Sequence, residues 1–431
     1  FVYIILLING IGTLLPWNML INADSYFVDY KLKVNLTDYE SAHDLDNYRS
    51  NFLSYLGIAS ISPNVCLQFL NLFTNKSYGS LTTRISSALL LQALVFLFTI
   101  VLAVMDTNGW PIGFFWLTMT SAVVINSGTG ILQSCNFGLA AKLPMKYTNA
   151  VVMGTNLSGT IVSIFMIVSI ALSPTPRIVG IIYFSLALII IIICFISQFY
   201  LKNNNFYIHY NRNINKSQEI SNDNNITLDS IEGLDITSRN TTKAITTGKN
   251  LSGLRLYCHV LGRIWPQLIN IYITYTLTLT IFPALMADIK PINQLIDGNY
   301  FVPTFCFFFF NVSVTLGNYL AQKLETPGPK YLWIYCCARI LFVPYFLLCN
   351  YRPENVDRHL PVLLASDWYY LIGTVVMSMS FGYLSSLAMM YAPRGVIDRH
   401  QETAGIMSGL ALILGIFTGV NSSLVHHLII S

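Results

Sequence analysis

The stretch FVYIILLINGIGTLLPWNMLINADSYF, residues 1–27, decides the fold of this chain. It is long and apolar enough to cross a bilayer, because about 20 helical residues span about 30 Å of hydrocarbon. Gly10, Gly12 and Pro16 interrupt it, and polar side chains lie among the apolar ones. A span that served only as an anchor needs neither these Gly and Pro residues nor polar side chains, whereas a helix packed inside a bundle uses both kinds of residue. The stretch therefore predicts a packed transmembrane helix.

The composition extends this prediction to the whole chain. Of its 431 residues, 54% are hydrophobic and only 10% are charged, whereas soluble domains average about 25% charged residues. This composition predicts a polytopic membrane protein. The formal net charge of +4 is too small to indicate binding to a nucleic acid polymer. The eight cysteines lack CxxC spacing and lie mostly in apolar runs, so we expect buried free thiols, no metal site and no cofactor.

Apolar runs recur along the chain and predict an all-α fold. Two polar loops divide the runs. Residues 28–50 are acidic, and residues 202–255 are rich in Asn, Ser and Thr without apolar periodicity, which predicts a disordered cytoplasmic linker. The linker separates a six-helix bundle (1–201) from a five-helix bundle (256–431), as in major-facilitator transporters but one helix short. The eleven predicted spans are residues 1–23, 51–73, 85–106, 111–133, 147–172, 177–201, 257–285, 301–322, 331–350, 367–390 and 403–429.

Lys and Arg in the short loops set the predicted orientation, since cytoplasmic loops carry the excess of positive charge. Placing the N-terminus in the cytosol puts the basic linker inside and the acidic 28–50 loop outside. We therefore predict a cytoplasmic N-terminus and an extracellular C-terminus in a plasma-membrane protein. Asn35 heads an Asn-Leu-Thr sequon in the outer loop, so we expect a glycoprotein modified at that residue.

Four motifs resemble those of a known family. They are GTLLPWNMLINADSYF (12–27), INSGTGILQS (125–134), FGLAAKLPMKYTNAVVMGTNLSG (137–159) and LTIFPALMADIKP (279–291). In these stretches the chain closely resembles the equilibrative nucleoside transporters, which are solute carriers. The resemblance covers almost the whole chain outside the two polar loops. It implies facilitative transport of nucleosides, and of nucleobases as a further substrate class, across a lipid bilayer by alternating access. Pro283, in the last motif, predicts a break in the seventh span.

The resemblance also implies which residues bind the substrate. Gln133 falls on the family's base-binding glutamine, and an amide both donates to and accepts from a nucleobase edge; a helix–helix hydrogen bond is the alternative. Trp17 has the shape to stack on a flat ring, with an interfacial anchor as the alternative. The predicted substrate-binding residues are Leu14, Trp17, Ile21, Ile61, Asn64, Gln133, Phe307, Asn311 and Asn318.

Five further residues are predicted to serve gating or packing. Gly154 and Gly159 match family glycines and predict a close approach of backbones. Arg339 matches a family arginine in the ninth span, where a charge usually faces a partner or a cavity. Arg394 and Glu402 predict a cytoplasmic gate, with plain solvation of these charges as the alternative.

The eighth span departs from the family's pattern. There the family carries an aspartate and, four residues later, an arginine, a pair thought to hold the ribose hydroxyls; Val314 and Asn318 replace them. Because both charges are absent together, no unpaired charge is left behind, but ribose recognition is altered. Asn64 adds a donor and an acceptor that the typical pocket lacks, and Phe381 stands where the family pattern SNGY has asparagine. We therefore predict altered specificity, favouring nucleobases or tolerating varied sugars.

Other functions fit the sequence less well. The GxxxxGK[ST] loop of ATP-driven pumps is absent. The acids Asp24, Asp288 and Glu402 lie toward helix ends, which favours facilitative transport; a proton-coupled or altered-specificity carrier for other small polar organic solutes is the alternative. The adjacent His426 and His427 point to different sides of a helix, so we do not expect an enzyme. The number of spans and the lack of a selectivity-filter motif argue against a receptor or a channel.

Overall fold

The computed structural model describes residues 1–23, 26–33, 45–49, 51–74, 81–172, 175–210, 254–293, 301–352 and 361–422. These ranges contain eleven main helices, which match the eleven predicted spans, and nine of the eleven are long and apolar enough to cross a membrane. The predicted all-α membrane fold is confirmed. The helices are α1 (Val2–Asn22), α2 (Phe52–Thr74), α3 (Leu81–Val104), α4 (Pro111–Ala141), α5 (Met145–Leu172), α6 (Pro176–Lys202), α7 (Leu254–Ile281), α8 (Val302–Leu324), α9 (Leu332–Leu347), α10 (Asp367–Tyr391) and α11 (Gln401–Ser422).

Three of these helices have features that the predicted spans do not give or give only in part. Helix α4 continues to Ala141, well beyond the predicted end at residue 133. Helix α7 ends at Ile281, and the short helix Ala284–Ala287 follows it, so the predicted break at Pro283 is confirmed. Helix α9 contains a 3₁₀ turn that carries Arg339.

The predicted linker is described only at its margins. Residues 205–210 are helical and continue the chain beyond α6, while residues 211–253 lie outside the described ranges. Phe206 packs on Tyr147 at the start of α5, with ring centroids 5.4 Å apart. The first residues after α6 therefore pack against the bundle. We call this end of the molecule, where α6 ends and α7 begins, the linker end, and the opposite end the far end.

Glycine sets the closest helix contact of the first bundle. A Cβ atom at Gly154 would overlap the Leu7 carbonyl oxygen and lie 2.9 Å from the Cα of Gly10. Helices α1 and α5 therefore meet backbone to backbone, as small residues allow in membrane bundles. The close approach predicted for Gly154 is confirmed. Around this pair, α2 packs on α4, and α3 packs on both α4 and α6.

The second bundle uses the same device between α8 and α10. A Cβ atom at Gly317 would overlap the Met379 carbonyl oxygen, and one at Gly382 would overlap the Val314 carbonyl oxygen. Helices α7 and α11 approach closely as well, since a Cβ atom at Gly415 would lie 2.8 Å from the Tyr272 carbonyl oxygen. Each of the two bundles is thus held together by close contacts between a glycine and the backbone of the facing helix.

The outer faces of the helices are apolar and exposed. Large side chains that would face water in a soluble protein point outward from α3 and α6, and hydrocarbon is the solvent that suits them. Three of the eight free cysteines, Cys66, Cys258 and Cys337, are also exposed, so the prediction of buried thiols holds only for the other five. Exposed apolar side chains on α3 and α6 include Leu90, Leu94, Leu97, Ile182, Ile189 and Ile193.

The two bundles meet along an interface that we call the seam. On it, α2 and α4 pack on α11, and α5 packs on α8 and α10. Glycines bring the helices close here too, because a Cβ atom at Gly405 of α11 would overlap the Phe137 carbonyl oxygen of α4. The seam is where side chains of one bundle contact side chains of the other.

Candidate functional site

The far half of α1 carries a partly exposed face. Leu14, Trp17, Asn18 and Ile21 are all partly exposed, and their spacing of three and four residues places them on one side of the helix. The other half of α1 is mostly buried among its neighbours. The Asn18 amide donates to the Ser158 hydroxyl of α5 at 2.8 Å, which fixes this end of α1 against the bundle. Three predicted binding residues therefore share one accessible face.

A chain of three amides connects α2 and α4. The Gln68 Nε2 atom donates to Asn64 Oδ1 at 2.9 Å and to Gln133 Oε1 at 2.8 Å. We call these three side chains the amide relay. All three are buried, and both Gln68 Oε1 and Gln133 Nε2 lack a hydrogen-bond partner among the described residues. Asn64 and Gln133, both predicted to bind substrate, are therefore joined through a residue that the sequence reasoning did not select.

The relay is held in place by a close contact between its helices. A Cβ atom at Gly130 of α4 would lie 2.9 Å from the Asn64 carbonyl oxygen and 3.1 Å from its Oδ1 atom. Ile61, one turn earlier on α2, is buried. Because Gly130 has no side chain, α2 and α4 come near enough for their amides to bond.

A second polar cluster lies deeper in the first bundle. The Asn136 amide of α4 donates to the Thr13 hydroxyl of α1 at 3.0 Å, and the Ser197 hydroxyl of α6 contacts Asn9 Oδ1 at 3.4 Å. These groups are buried within one bundle. They tie α1, α4 and α6 together, since hydrogen bonds between membrane helices stabilise their packing.

A row of contacting aromatic rings lies in the second bundle. Phe282 and Phe310 stack with ring centroids 3.7 Å apart, and Phe307 meets the edge of Phe282 at 5.5 Å. Phe310 also packs on Phe381, which in turn contacts Tyr275 at 5.0 Å. Phe307, predicted to bind substrate, is the partly exposed end of this row.

Arg339 lies behind the aromatic row. Its guanidinium group is 5.4 Å from the Phe381 ring centroid, and it donates to the carbonyl oxygens of Thr274 at 3.5 Å and Met377 at 3.2 Å. Those carbonyls belong to α7 and α10, so every one of these partners lies in the second bundle. The contacts assign Arg339 a packing position inside one bundle.

Helix α8 contacts the first bundle at two of its predicted site residues. The Asn311 side chain fills the space that a Cβ atom at Gly159 of α5 would need, so the backbone approach predicted for Gly159 is wrong and this glycine makes room for a side chain instead. The Asn149 amide of α5 donates to the Asn318 backbone carbonyl at 3.1 Å. The side chain of Asn318 accepts from the Ser386 hydroxyl of α10 at 2.9 Å, and its Nδ2 atom has no partner among the residues that the structure describes.

The linker end of the seam is closed by polar contacts between the bundles. Lys142, after α4, forms a salt bridge with Glu402, at the start of α11. Arg394 donates to the Leu143 carbonyl oxygen at 2.8 Å, again from one bundle to the other. We call these two contacts the latch. The Tyr3 hydroxyl of α1 also joins the two bundles, because it donates to Gln322 Oε1 of α8 at 3.0 Å.

A cavity of about 710 Å³ opens beside the latch at the linker end, and Lys142, Arg394 and Tyr210 line part of it. Tyr207, in the helical segment after α6, lies near the same charges. Burial, and to a lesser degree the Glu402 carboxylate, raise the pKa of its hydroxyl to about 12. Tyr207 therefore stays neutral at physiological pH and adds no charge to the latch.

The structure brings together most of the predicted residues but in separate groups. The α1 face and the amide relay belong to the first bundle, and the row ending at Phe307 belongs to the second, while Arg394 and Glu402 lie at the linker end. Arg339 lies apart, inside the second bundle. Asn35, Asp24 and the pair His426 and His427 lie outside the described residues. Sequence reasoning missed Gln68 and Lys142; the spacing of four residues between Asn64 and Gln68 was the available signal for the first.

Comparison with known proteins gives two kinds of match. Residues 119–428 match the family described as Nucleoside transporter. The chain is 29% identical to human equilibrative nucleoside transporter 1, over 100% of this chain and 97% of that protein. It is 28% identical to human equilibrative nucleoside transporter 2, over 96% and 94% of the two chains. It is also 28% identical to Arabidopsis thaliana equilibrative nucleotide transporter 1, over 97% and 84%.

Solved structures give matches in fold. The proton:xylose symporter XylE, a major facilitator superfamily protein bound to 6-bromo-6-deoxy-D-glucose, matches with a TM-score of 0.64 at 11% identity, over 99% of this chain and 90% of that chain. The human organic anion transporter MFSD10 matches with a TM-score of 0.51 at 14% identity, over 99% and 93%. The fold of this chain is therefore similar to that of these two transporters.

Proposed function

The chain belongs to the nucleoside transporter family, and we propose that it is a facilitative carrier that moves nucleosides down their gradient by alternating access. The observation that carries this proposal is the similarity to equilibrative nucleoside transporters over essentially the whole chain. The major-facilitator fold supports it, because such carriers bind their substrate between two bundles near the membrane midplane. No enzymatic role is needed to account for the site.

We assign the substrate site to the residues around the seam. Trp17 and Phe307 supply flat aromatic surfaces for a base, and Leu14, Ile21 and Ile61 supply apolar contacts. Gln133 and Asn64 supply the amides that hydrogen-bond to its edge. Asn311 and Asn318 supply polar groups from α8. In this assignment Gly154 and Gly159 hold the helices that carry the site.

The replacement of the charged pair in α8 supports a shift in specificity. Val314 is buried and has no polar side-chain atom, and Asn318 Oδ1 is already occupied by Ser386. Within the described part of the chain, Asn318 Nδ2 has no hydrogen-bond partner, so the Asn318 amide is the polar group at these two positions that is able to bond a sugar hydroxyl. Recognition therefore rests more on the base than on the ribose, and we propose that nucleobases are substrates as well.

The latch is the proposed gate at the linker end. Lys142–Glu402 and Arg394–Leu143 join the bundles on that side, while Trp17 and Ile21 on the far half of α1 are partly exposed. This arrangement supports a state closed at the linker end. Rocking the bundles apart would break the latch and release the substrate on that side.

Facilitative rather than proton-coupled transport fits the placement of the acids that the structure describes. Asp288 follows the short helix Ala284–Ala287, Asp367 begins α10 and Glu402 lies in the first turn of α11. A coupling proton would need a titratable group near the middle of a span. We further propose that the protein lies in the plasma membrane with its N-terminus in the cytosol, on the charge distribution given above.

Uptake measurements test this function. Labelled adenosine, uridine and hypoxanthine would be supplied to cells that express the chain and lack their own nucleoside uptake, with and without a pH gradient. We expect saturable uptake that unlabelled nucleosides compete and that the gradient does not change. Uptake that requires the pH gradient would replace the facilitative assignment with a proton-coupled one. No uptake of any of the three would reject the proposed function.

A further inference from the structure

Gln68 stands out because it is buried at the seam and half of its hydrogen-bonding capacity is unused. Its Nε2 atom is fully engaged, with Asn64 Oδ1 at 2.9 Å and Gln133 Oε1 at 2.8 Å. Within the part of the chain that the structure describes, its Oε1 atom and the Gln133 Nε2 atom have no hydrogen-bond partner, and both side chains are fully buried. A buried amide atom without a partner is costly, so its presence calls for an occupant.

A glycine of the other bundle lies beside the free Gln68 carbonyl. An ideal Cβ atom at Gly409 of α11 would lie 3.4 Å from Gln68 Oε1 and 3.1 Å from a ring carbon of Phe137. The Gln68 carbonyl therefore faces α11 across the seam at a position where α11 has no side chain. This is the interface at which a major-facilitator carrier holds its substrate.

We propose that Gln68 is a specificity-determining residue that sets how Gln133 meets the substrate. By donating to the Gln133 carbonyl, it leaves Gln133 with a free N–H donor and offers its own carbonyl as the matching acceptor. The ligand that fits such a pair is a planar heterocycle with an acceptor next to a donor, which is the hydrogen-bonding edge of a nucleobase. The inference rests on the proposed function and names the part of the substrate that the site recognises, which is the hydrogen-bonding edge of the base.

The relay also accounts for the acceptance of more than one base. A flip of all three amide groups exchanges the oxygen and the nitrogen of each side chain. Both hydrogen bonds are kept with donor and acceptor reversed, so that Gln68 Oε1 accepts from Asn64 and Gln133. The free atoms then become Gln133 Oε1 and Gln68 Nε2, which is again one acceptor and one donor, in exchanged order. Uracil and hypoxanthine fit one order, with a ring N–H beside a carbonyl. Cytosine and adenine fit the other, with a ring nitrogen beside an amino group.

The test compares two ligands that differ at the edge. N3-methyluridine lacks the N3–H donor of uridine. Its inhibition constant against labelled uridine uptake would be measured for the full-length wild type and for Gln68→Met, which keeps the length of the side chain and removes its polar atoms. We expect the wild type to bind N3-methyluridine about tenfold more weakly than uridine, the size of one lost buried hydrogen bond, and Gln68→Met to bind the two within about twofold.

Gln92→Met is the matched control. Gln92 is equally buried in the same bundle and donates to the Thr129 hydroxyl at 3.0 Å, and its carbonyl also has no partner in the described ranges. It should keep the wild-type ratio of the two inhibition constants. Gln68→Asn keeps an amide but draws it back from Gln133, and it provides the same readout if the methionine variant does not reach the membrane.

The outcomes separate the two proposals. A Gln68 variant that transports uridine and keeps the full wild-type ratio overturns the role of Gln68 while the transport function stands. A wild type that shows no saturable uptake rejects the transport function, and the inference falls with it. A ratio lost in the Gln68 variants and in Gln92→Met alike also overturns the inference, because the effect would then belong to bundle packing.

Discussion

The two bundles use the same packing but line their interiors with different chemistry. In the first, Gly10 and Gly154 bring α1 and α5 together; in the second, Gly317 and Gly382 do the same for α8 and α10. Beside these contacts, the first bundle presents amides that bond to one another, while the second presents a row of stacked rings. The shared part builds the fold, and the differing part builds the site. A flat heterocycle with a polar edge needs both kinds of surface, rings for its faces and amides for its edge.

The largest expected effect comes from breaking what the bundles share. Gly154→Val and Gly382→Val each force a side chain into backbone atoms of the facing helix. Inserting extra atoms into a packed core costs about 1–3 kcal/mol when side chains are able to shift, and backbone shifts less readily. We expect both variants to lose most of their folded protein, measured by size-exclusion chromatography of a fluorescently tagged chain.

Gly262→Val is the control for these variants. Gly262 lies in α7, and a Cβ atom there meets no described residue within 4 Å. It should give a normal elution profile. A normal profile for Gly154→Val as well would show that α1 and α5 are not held by this contact.

The second effect concerns the aromatic row. Phe381 is buried between Arg339, Tyr275 and Phe310, and truncating a buried Phe to Ala costs about 3–5 kcal/mol. Phe381→Ala should therefore lower the melting temperature of the purified protein strongly. Phe417→Ala, at an exposed Phe of α11, should lower it much less. Equal losses in the two variants would contradict a structural role for the row.

The sequence predicted the parts of this comparison that depend on local pattern. The apolar runs located the helices, Pro283 located a break, and Gly154 predicted a close contact without naming Gly10 as its partner. The long-range pairs were out of reach, because a glutamine in an apolar helix does not reveal which helix it faces. Gln68 and Gln133 are far apart in the chain, as are Lys142 and Glu402. The prediction of Arg339 as a charge with a partner or a cavity did not reveal that its partners are carbonyls and a ring.

The third prediction concerns a variant that adds two charged side chains to α8 of the second bundle. Val314→Asp with Asn318→Arg places opposite charges one turn apart on α8, where they support each other and are able to hold sugar hydroxyls by charge-assisted hydrogen bonds. We expect the apparent affinity for uridine to rise about tenfold relative to that for uracil, a gain that corresponds to about 1.4 kcal/mol. Competition uptake assays measure it.

The single variant Val314→Asp is the comparison for that double variant. Val314 is only 1% exposed, and a buried carboxylate without a partner is strongly destabilising. The single variant should lose folded protein, and the added arginine should restore it. Unchanged or weaker nucleoside affinity in a well-folded double variant would show that these two positions do not read the ribose in this chain.

The smallest expected effect concerns the latch, which joins the bundles by charge rather than by packing. The Lys142 and Glu402 side chains are 18% and 23% exposed, and ion pairs near the surface contribute only about 0.2–1 kcal/mol. Lys142→Ala should therefore shift the balance only about two- to fivefold toward the state open at the linker end. Cys135 reports that shift, because it is buried on α4 close enough to the Glu402 carboxylate of α11 to interact with it across the seam. Its rate of modification by a thiol reagent would be followed with Cys66, Cys258 and Cys337 changed to serine.

The charge exchange Lys142→Glu with Glu402→Lys separates the ion pair from other effects of these residues. It should return the modification rate of Cys135 to the wild-type value, because the pair is rebuilt with its charges reversed. Lys146→Ala, which removes an exposed lysine near the same cavity, should leave the rate unchanged. Cys194, buried inside the first bundle against α1, should stay unmodified in every variant, since rocking the bundles apart opens the seam and not the bundle. Faster modification of both cysteines would mean that Lys142→Ala loosens the first bundle itself, and the latch would then be a structural contact rather than a gate.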